Sequence, residues 1–412
     1  MPWPERELLK KMTTGAKPLS PSTHLAPQSR VLLLSHRNIA GPALFRCPHY
    51  EFEDIICQID SADLVAPNPG PWFDVRSRLA KRVAWHLPLS LNPGIPRITI
   101  NRHYDLLFSI CNAPIDLLML NAIENWDSLA DVSICMLDQL WVTHFTANKH
   151  LLNTLVARFD CILLYYSGSV EPLARVIGRT CAFVPPGVDA LLFNPYPQCP
   201  RRVIDIYSVG RRSEITHRDM IDFSHKAGLF YAHDTIAGSH AITATEHRAQ
   251  YANTTKRSRY FLVNPALIDQ PHVRGDQEEL GNRYFEGAAA GTIMIGTCPR
   301  NPVFGELFNW PDAVIDLPYN STRAGDVIRE LDKDRERQET IRANNMTQTL
   351  LKHDWAYRWE TILTFAGLPP LPALVERKHR LRQLATHILY FPSSRTEAEK
   401  REYVASFGLD VF

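Results

Sequence analysis

Short apolar runs alternate with amphipathic segments along most of this chain, and that alternation predicts strands separated by helices. In the first part of the chain, the predicted strands are 30–38, 61–66, 98–100, 106–110, 161–166 and 181–184. Helical spacing predicts helices over 50–59, 74–86 and 148–159, and a further helix that begins near Val170. Strands that take turns with helices in this way predict a parallel, doubly wound α/β sheet.

The alternation restarts after a proline-rich connection. Residues 185–202 contain five prolines and little periodicity, a composition typical of a link between domains. Beyond it, the predicted strands are 203–209, 229–232, 260–265, 292–295 and 313–316, and the predicted helices are 214–226, 245–256, 325–352 and 375–388. The chain therefore divides into a flexible leader (1–28), a first domain (29–190), a linker (191–202), a second domain (203–365) and a helical tail (366–412).

Composition narrows the class of protein. The 412 residues include 45 Lys and Arg against 44 Asp and Glu, so no overall field draws the chain to nucleic acid, and we expect no nucleic-acid role. None of the eight cysteines forms a Cys-x-x-Cys pair, which indicates free thiols in a reducing compartment. The chain start lacks an apolar signal segment, so we expect a cytoplasmic protein with at most peripheral membrane contact.

The stretch from Gly275 to Gly296 predicts a loop, a short helix of small residues and an apolar strand. Gly281 stands where the helix begins, so free backbone N–H groups there can face an anion. Arg283 adds a planar cation that suits phosphate, and Glu286 could accept two hydroxyls of a ribose. This order favours a site for a nucleotide diphosphate, although a helix that merely packs on a sheet through its small residues would give the same pattern.

Three motifs along one chain then resemble a known group of enzymes. They are the Pro-Pro-Gly-Val-Asp-x3-Phe-x-Pro connection at 185–195, the strand end at 210–212, and Glu278 and Glu286 with seven residues between them. The combination resembles the GT-B glycosyltransferases, in particular the retaining group with the Glu-x7-Glu signature. The Arg-Tyr-Phe-Glu sequence at 283–286 and the His-Asp-Trp sequence at 353–355 are similar to those of CgeB-like glycosyltransferases.

The resemblance implies two facing Rossmann-like domains with a cleft between them, in an enzyme that moves a sugar from a nucleotide sugar to an acceptor hydroxyl with retention. It implies that Glu286 holds the ribose, that Glu278 lies near the donor sugar, and that Arg211 and Arg212 grip the diphosphate. The residues after Glu278 depart from the usual pattern, so Glu279 is an alternative acid. Arg212, Arg218 and Lys226 are alternatives for the second base on the phosphates.

Other site residues are predicted from strand ends. His36 and His144 are the candidate catalytic bases, with Asp116 and Asp138 as further possibilities in the first domain, and His233, Asp234 and Thr235 lie at another strand end. The donor-binding residues predicted in all are Gly210, Arg211, Arg212, Tyr260, Asn264, Gly281, Asn282, Arg283 and Glu286.

No Asp-x-Asp stands at a strand end, so we expect neither a metal nor any other cofactor. The expected donor is linked to UDP or GDP, and the acceptor is a small molecule, a glycan or a lipid. A sugar-nucleotide epimerase and a non-catalytic sensor of nucleotide sugars remain as alternative functions.

Overall fold

The computed structural model describes residues 29–41, 43, 45–234, 241–390, 404–407 and 409. The predicted leader at 1–28, Thr235 and much of the end of the predicted tail lie outside these residues. None of the helices in the described part of the chain is long and apolar enough to cross a bilayer.

Within the described residues, six parallel strands form a first sheet in the order β2-β1-β3-β4-β5-β6. Its strands are β1 (Val31–Leu34), β2 (Ala62–Val65), β3 (Tyr104–Cys111), β4 (Ala130–Leu137), β5 (Cys161–Leu164) and β6 (Thr180–Phe183). In the register, Leu34 of β1 pairs with Val65 on one side and Ser109 on the other. Because the strands are parallel, their carboxyl ends lie along one edge of the sheet, where ligand-binding residues usually emerge.

Helices cover both faces of this sheet. They are α1 (Arg37–Ala40), α2 (Cys47–Ile59), α3 (Phe73–His86), α4 (Lys149–Thr154) and α5 (Val170–Ile177), with 3₁₀ turns at Pro114–Ala122, Trp126–Ser128, Val142–His144, Val156–Arg158 and Ser167–Ser169. Two apolar clusters result, one on each face of the sheet. Burial on both faces explains why the strands are continuous apolar runs rather than alternating patterns.

A second parallel sheet follows, with the order β11-β10-β9-β7-β8 in the described part of the chain. Its strands are β7 (Ile204–Val209), β8 (Tyr231–Asp234), β9 (Ser258–Val263), β10 (Ile293–Gly296) and β11 (Ile315–Asp316). The helices that begin in this half are α6 (Ala190–Phe193), α7 (Glu214–Ala227), α8 (Ala244–Lys256), α9 (Pro271–Arg274), α10 (Asn282–Ala289), α11 (Pro302–Leu307), α12 (Ala324–Asp332) and α13 (Arg335–Lys352). We call each sheet with the helices packed on it a lobe.

The chain returns to the first lobe before it ends. After α13, helix α14 (Trp355–Ala366) packs Trp355 against Phe52 of α2, with ring centroids 4.6 Å apart. The following helix, α15 (Pro372–Tyr390), packs mainly on the second lobe. Trp355 and Trp359, in a segment that the sequence assigned to the second domain, are thus buried in an apolar cluster of the first lobe.

Helix ends follow the signals in the sequence. Ser213, the predicted N-cap of α7, accepts a hydrogen bond from the Thr216 N–H at 3.2 Å, and Gly228 ends that helix in the left-handed region at φ 66°. Asp354 caps α14 in the same way through the Ala356 N–H, at 2.9 Å. These caps fix where α7 and α14 begin.

The predicted α/β class with two doubly wound parallel sheets is confirmed, but several elements differ, among them β4, residues 98–100 and β8. Strand β4 was not predicted, since polar Asp131 and Ser133 interrupt its apolar pattern. The predicted strand at 98–100 is only an isolated bridge between Ile98 and Ile123. Strand β8 begins two residues later than expected, because Leu229 and Phe230 belong to the turn that precedes it.

Candidate functional site

A cleft of about 220 Å³ lies between the carboxyl edges of the two sheets. Strands β4 and β5 reach it from the first lobe, and β7 and β9 from the second. Its lining residues are Phe45, Pro48, Asp138, Gln139, Tyr166, Val209, Gly210, Arg211, His247, Arg248, Tyr251, Asn264, Pro265, Ala266, Leu267, Ile268, Leu280, Gly281, Asn282, Arg283 and Glu286. A concave site at the carboxyl ends of parallel strands is the usual place for a ligand in this architecture.

Two arginines meet at the end of β7. Gly210 follows the strand with φ 76°, and any side chain there would overlap the guanidinium of Arg283. Arg283 Nη1 donates to the Arg211 carbonyl at 3.3 Å, and Arg211 Nη1 lies 3.1 Å from Asp269 Oδ2. Glycine at 210 therefore lets the Arg283 guanidinium reach the Arg211 backbone, and both arginines line the cleft, an arrangement suited to an anion with two phosphates.

Helix α10 presents its N-terminus to the same place. Gly281 precedes the helix in an extended conformation and offers no side-chain cap, so N–H groups of the first turn face the cleft. Leu280, Gly281, Asn282 and Arg283 all line the cleft. The partial positive charge of the helix end adds to that of the arginines.

Glu286 lies one turn into α10 and is buried in a network of charged groups. Its Oε1 is 2.5 Å from Arg248 Nη1, and its Oε2 accepts from the Tyr251 hydroxyl at 3.0 Å. Both partners belong to α8. A carboxylate has about four acceptor positions, so Glu286 keeps capacity for two hydroxyl groups of a ligand in the cleft.

The network continues into the first lobe through Glu51 of α2. Arg248 Nε donates to Glu51 Oε2 at 2.6 Å, while Glu51 Oε1 accepts from Trp355 Nε1 at 2.8 Å and from the Asp189 N–H at 2.9 Å. Arg248 is thus sandwiched between two buried carboxylates, and its pKa is raised by Glu51 and Glu286 even though burial opposes the charge. The Arg248 guanidinium therefore links the two lobes at the back of the cleft.

The first lobe contributes one carboxylate to the cleft. Asp138 follows β4, is buried, and lies 3.0 Å through its Oδ2 from His49 Nε2 of α2. Asp138 was one of the further candidates from the sequence. The His49 contact fixes its orientation opposite the arginines of the second lobe.

His247 lines the cleft beside Arg248. Its ring stacks on Tyr251 with centroids 5.9 Å apart, and its Nδ1 is buried without a hydrogen-bond partner among the described residues. Burial and the neighbouring Arg248 lower the pKa of His247 to about 4. His247 is therefore neutral at neutral pH and can accept or donate one hydrogen bond to a ligand.

The structure brings most of the predicted donor-binding residues together. The residues of that set that line the cleft are Gly210, Arg211, Asn264, Gly281, Asn282, Arg283 and Glu286. Arg212 lines a small adjoining cavity of about 20 Å³ instead, where its Nη1 lies 3.3 Å from His233 Nδ1. Arg218 and Lys226, the alternatives to Arg212, are exposed on α7 and do not line the cleft.

Other predicted residues lie elsewhere. Tyr260 is buried within β9 and donates to Asp332 at 2.6 Å, because it sits inside the strand rather than at its end. His36 is buried with its Nε2 2.5 Å from the Asp116 carbonyl oxygen, and burial lowers its pKa. His144 is half-buried in a 3₁₀ turn and does not line the cleft.

Glu278 and its alternative Glu279 lie in different surroundings. Glu278 accepts from the Arg300 N–H at 2.8 Å and does not line the cleft. Glu279 is buried and accepts from the N–H groups of Ser167 at 3.2 Å and Gly168 at 2.9 Å, both in the first lobe. Burial raises the pKa of Glu279, while these hydrogen bonds oppose the rise. Glu279 therefore forms part of the contact between the lobes.

Sequence reasoning missed Glu51, Arg248, Tyr251 and His247. The last three carried a usable signal, because His247 and Tyr251 are four residues apart, and Arg248 and Tyr251 three apart, on a predicted helix. Glu51 carried none, since nothing in the pattern of α2 separates a buried glutamate from a solvated one.

Comparisons with known proteins bear on the second lobe. Residues 212–364, a little over a third of the chain, match the family described as glycosyl transferase-like. That range contains Asn264, Arg283 and Glu286 of the cleft. Comparison with curated proteins gives no significant match.

Among solved structures, the chain is similar to a TarM mutant of S. aureus in complex with fondaparinux, α-GlcNAc-glycerol and UDP, with 8% identity over 63% of this chain and 55% of that one, and a TM-score of 0.41. It is also similar to accessory secretory proteins 1, 2 and 3 of Streptococcus pneumoniae (11% identity, 76% and 58% covered, TM-score 0.38). A third match is the Gap123 glycosylation-associated complex of Streptococcus agalactiae (12% identity, 67% and 54% covered, TM-score 0.33). The chain thus spans a little over half the length of these structures, and similarity at this level assigns no activity.

Proposed function

We propose that this protein is a glycosyltransferase that moves a sugar from a nucleoside-diphosphate sugar to an acceptor hydroxyl. The observation that carries the proposal is that Arg211, Arg283 and Glu286 converge on one cleft, opposite Asp138 of the other lobe. The glycosyl transferase-like match over 212–364 supports the same conclusion.

In this proposal the diphosphate lies beside Gly210, between Arg211, Arg283 and the N-terminus of α10. Glu286 accepts hydroxyls of the ribose, and Arg248 and Tyr251 hold its carboxylate in place. The base then faces the loop that follows β9, where Asn264 and residues 265–268 line the cleft.

Transfer breaks the anomeric C–O bond while negative charge grows on the departing diphosphate. Fixed cations aimed at that charge stabilise the transition state, and here two arginines and a helix end supply them. We therefore propose that transfer needs no metal. Among the described residues, no group of three or more His, Cys, Asp and Glu side chains is placed to hold a metal ion.

Asp138 is the candidate group on the acceptor side. Its carboxylate faces the sugar from the first lobe, where it can stabilise positive charge on the anomeric carbon or orient the acceptor hydroxyl. We propose retention, with the departing phosphate taking the acceptor proton, in keeping with the enzymes that the motifs resemble.

A thermal-shift screen of UDP-, GDP-, ADP- and TDP-sugars tests the donor. A ligand at about one hundred times its dissociation constant stabilises the folded protein by about 2.7 kcal/mol, which is measurable.

With the donor that stabilises the protein, product formation should disappear in Glu286→Ala and Arg211→Ala, and should persist in wild-type protein treated with EDTA. Folded variants that still turn over would refute the site, and loss of activity in EDTA that added Mg²⁺ or Mn²⁺ restores would refute metal independence. The anomeric configuration of the product, read by NMR, decides retention.

A further inference from the structure

Helix α3 exposes several large apolar side chains to solvent, unlike an ordinary surface helix. The residues it buries against the first lobe are small: Ser77, Ala80 and Ala84. Phe73 is partly buried against the first lobe, but Val75 and Leu79 point outward and are 56% and 57% exposed, and Trp72 just before the helix is 76% exposed. An ordinary surface helix turns its large apolar residues toward the core.

The outward apolar residues form one continuous stripe. At roughly 3.6 residues per turn, positions 72, 75 and 79 fall on one side of the helix. Seven of the sixteen large apolar side chains exposed in the described part of the chain lie between residues 72 and 91, so exposed apolar residues are concentrated in this segment. The other four are Trp85, Leu87, Leu89 and Leu91. We call residues 72–91 the α3 surface.

Cations flank the stripe. Arg78 and Arg82 lie along one side of it and Arg76 along the other, with Lys81 further round the helix. Together with Asp74, the only acidic residue between 72 and 91, these four cations give the α3 surface a net charge of +3 (four positive charges less one). None of the four forms a side-chain ion pair within the described residues.

We infer that the α3 surface docks onto an anionic lipid bilayer. Tryptophan, leucine and valine enter the boundary between headgroups and acyl chains, while arginine and lysine reach the lipid phosphates with their apolar stems still buried. A 14-residue helix is about 21 Å long, so it lies in the plane of the interface and does not span the bilayer. Nucleic acid fits less well, because exposed tryptophan and leucine gain nothing from a phosphate backbone. The inference does not depend on the proposed function.

Vesicle sedimentation tests it with the full chain. We expect the protein to pellet with vesicles of equal parts phosphatidylcholine and phosphatidylglycerol, and about tenfold or more weakly with phosphatidylcholine alone. Raised salt should weaken binding because it screens the cations. Leu79→Glu, and separately the pair Arg78→Glu and Arg82→Glu, should each lower affinity for the mixed vesicles by about tenfold or more.

Matched controls lie on the second lobe. Phe230→Ser removes a comparably exposed aromatic side chain, and Lys333→Glu with Arg335→Glu reverses two exposed cations, so binding should stay within about twofold of wild type in both. Circular dichroism checks that every variant is folded.

Three results would overturn the inference. They are no binding of wild type to the mixed vesicles, binding that the α3 variants leave unchanged, and a dimer that Leu79→Glu dissociates in a protein that does not bind vesicles. The last would identify a second copy of the chain as the occupant.

Discussion

At the scale of single residues, the geometry of the candidate site depends on a position where no side chain fits without moving a neighbour. Gly210 is the clearest case, because the space that a Cβ would occupy is filled by the guanidinium of Arg283. Its φ of 76° also lies in the left-handed region, which glycine adopts without strain. The absence of a side chain at Gly210 therefore allows the Arg283 guanidinium to occupy its position beside the cleft.

We predict that Gly210→Ala weakens donor binding by about tenfold or more, because it displaces Arg283 from the phosphates, a change equivalent to about 1.4 kcal/mol. Calorimetric titration with the donor identified by the screen gives the dissociation constant. The strained backbone should also cost about 1–3 kcal/mol of stability.

Gly305 supplies the control. It lies in α11, and a Cβ there would meet nothing within 4 Å. Gly305→Ala should leave donor affinity unchanged and should not destabilise the protein. Equal affinity in Gly210→Ala and wild type would show that Arg283 does not need its present position.

A second residue-scale prediction concerns His353. Its Nε2 lies 2.8 Å from the Leu307 carbonyl oxygen and so carries the proton, while Nδ1 accepts from Arg358 Nη2 at 3.0 Å. Burial, and then Arg358, lower the pKa of His353 well below its ordinary value. As the pH falls below about 6.5, His353 binds a proton in the unfolded chain but stays neutral in the folded chain.

The free energy of unfolding should therefore fall with pH below about 6.5, by up to about 1.4 kcal/mol per pH unit from His353. Urea titrations at a series of pH values measure it. His353→Gln should be less stable than wild type at pH 8, since it loses packing, yet its stability should depend less steeply on pH between 6.5 and 5. Identical slopes for the two proteins would contradict the assignment.

At the scale of elements, three helices from two lobes share one buried cation. Arg248 of α8 lies between Glu51 of α2 and Glu286 of α10, and all three side chains are nearly inaccessible to solvent. The same contacts hold Glu286 in the position proposed for binding the ribose. The packing of α8 against α2 and the geometry of the site therefore cannot vary independently.

We predict that Arg248→Met destabilises the protein by about 3–5 kcal/mol, because it leaves two buried carboxylates without a counter-charge. Arg248→Lys should lose less, since it keeps the charge but not the three-way geometry. Chemical denaturation gives the loss, and Arg335→Met, which removes an exposed pair with Glu339, should change stability by less than about 0.5 kcal/mol. A loss in Arg248→Met as small as that of Arg335→Met would show that the two carboxylates are protonated or solvated.

At the scale of the whole molecule, the lobes are joined in front of the cleft as well as behind it. Glu279 accepts from the N–H groups of Ser167 and Gly168, and Gln277 Nε2 donates to Ser169 Oγ at 3.0 Å. The segment that carries these residues starts at the end of β9 and leads into α10, so it connects the first lobe to the proposed phosphate site.

Glu279→Gln should loosen this contact, because an amide places N–H donors against the N–H donors of residues 167 and 168. We expect faster hydrogen–deuterium exchange at 166–169 and 277–280, and a larger radius of gyration in solution scattering. Glu278→Gln is the matched control, because among the described residues the hydrogen bond that Glu278 accepts comes from the Arg300 N–H, within the second lobe. Equal exchange in the two variants would show that Glu279 does not hold the lobes together.

Features that depend on neighbours along the chain could be predicted from the amino-acid sequence. Apolar runs bounded by glycine and proline defined most strands, and Ser213 marked the start of α7. The order of Gly281, Arg283 and Glu286 predicted an anion site at the start of a helix, because these residues stand within two turns of one another.

Which of those residues come into contact depends on the folded chain and could not be predicted from local patterns. Glu51 and Arg248 are 197 positions apart, and no local pattern records that they form one ion pair. Arg212 and Tyr260 have the right chemistry and the right neighbours in sequence, yet Arg212 lines the adjoining small cavity and Tyr260 is buried within β9. The return of α14 to the first lobe could not be predicted either. An aromatic helix face can pack on any apolar surface, and the sequence does not show which surface lies next to it in the fold.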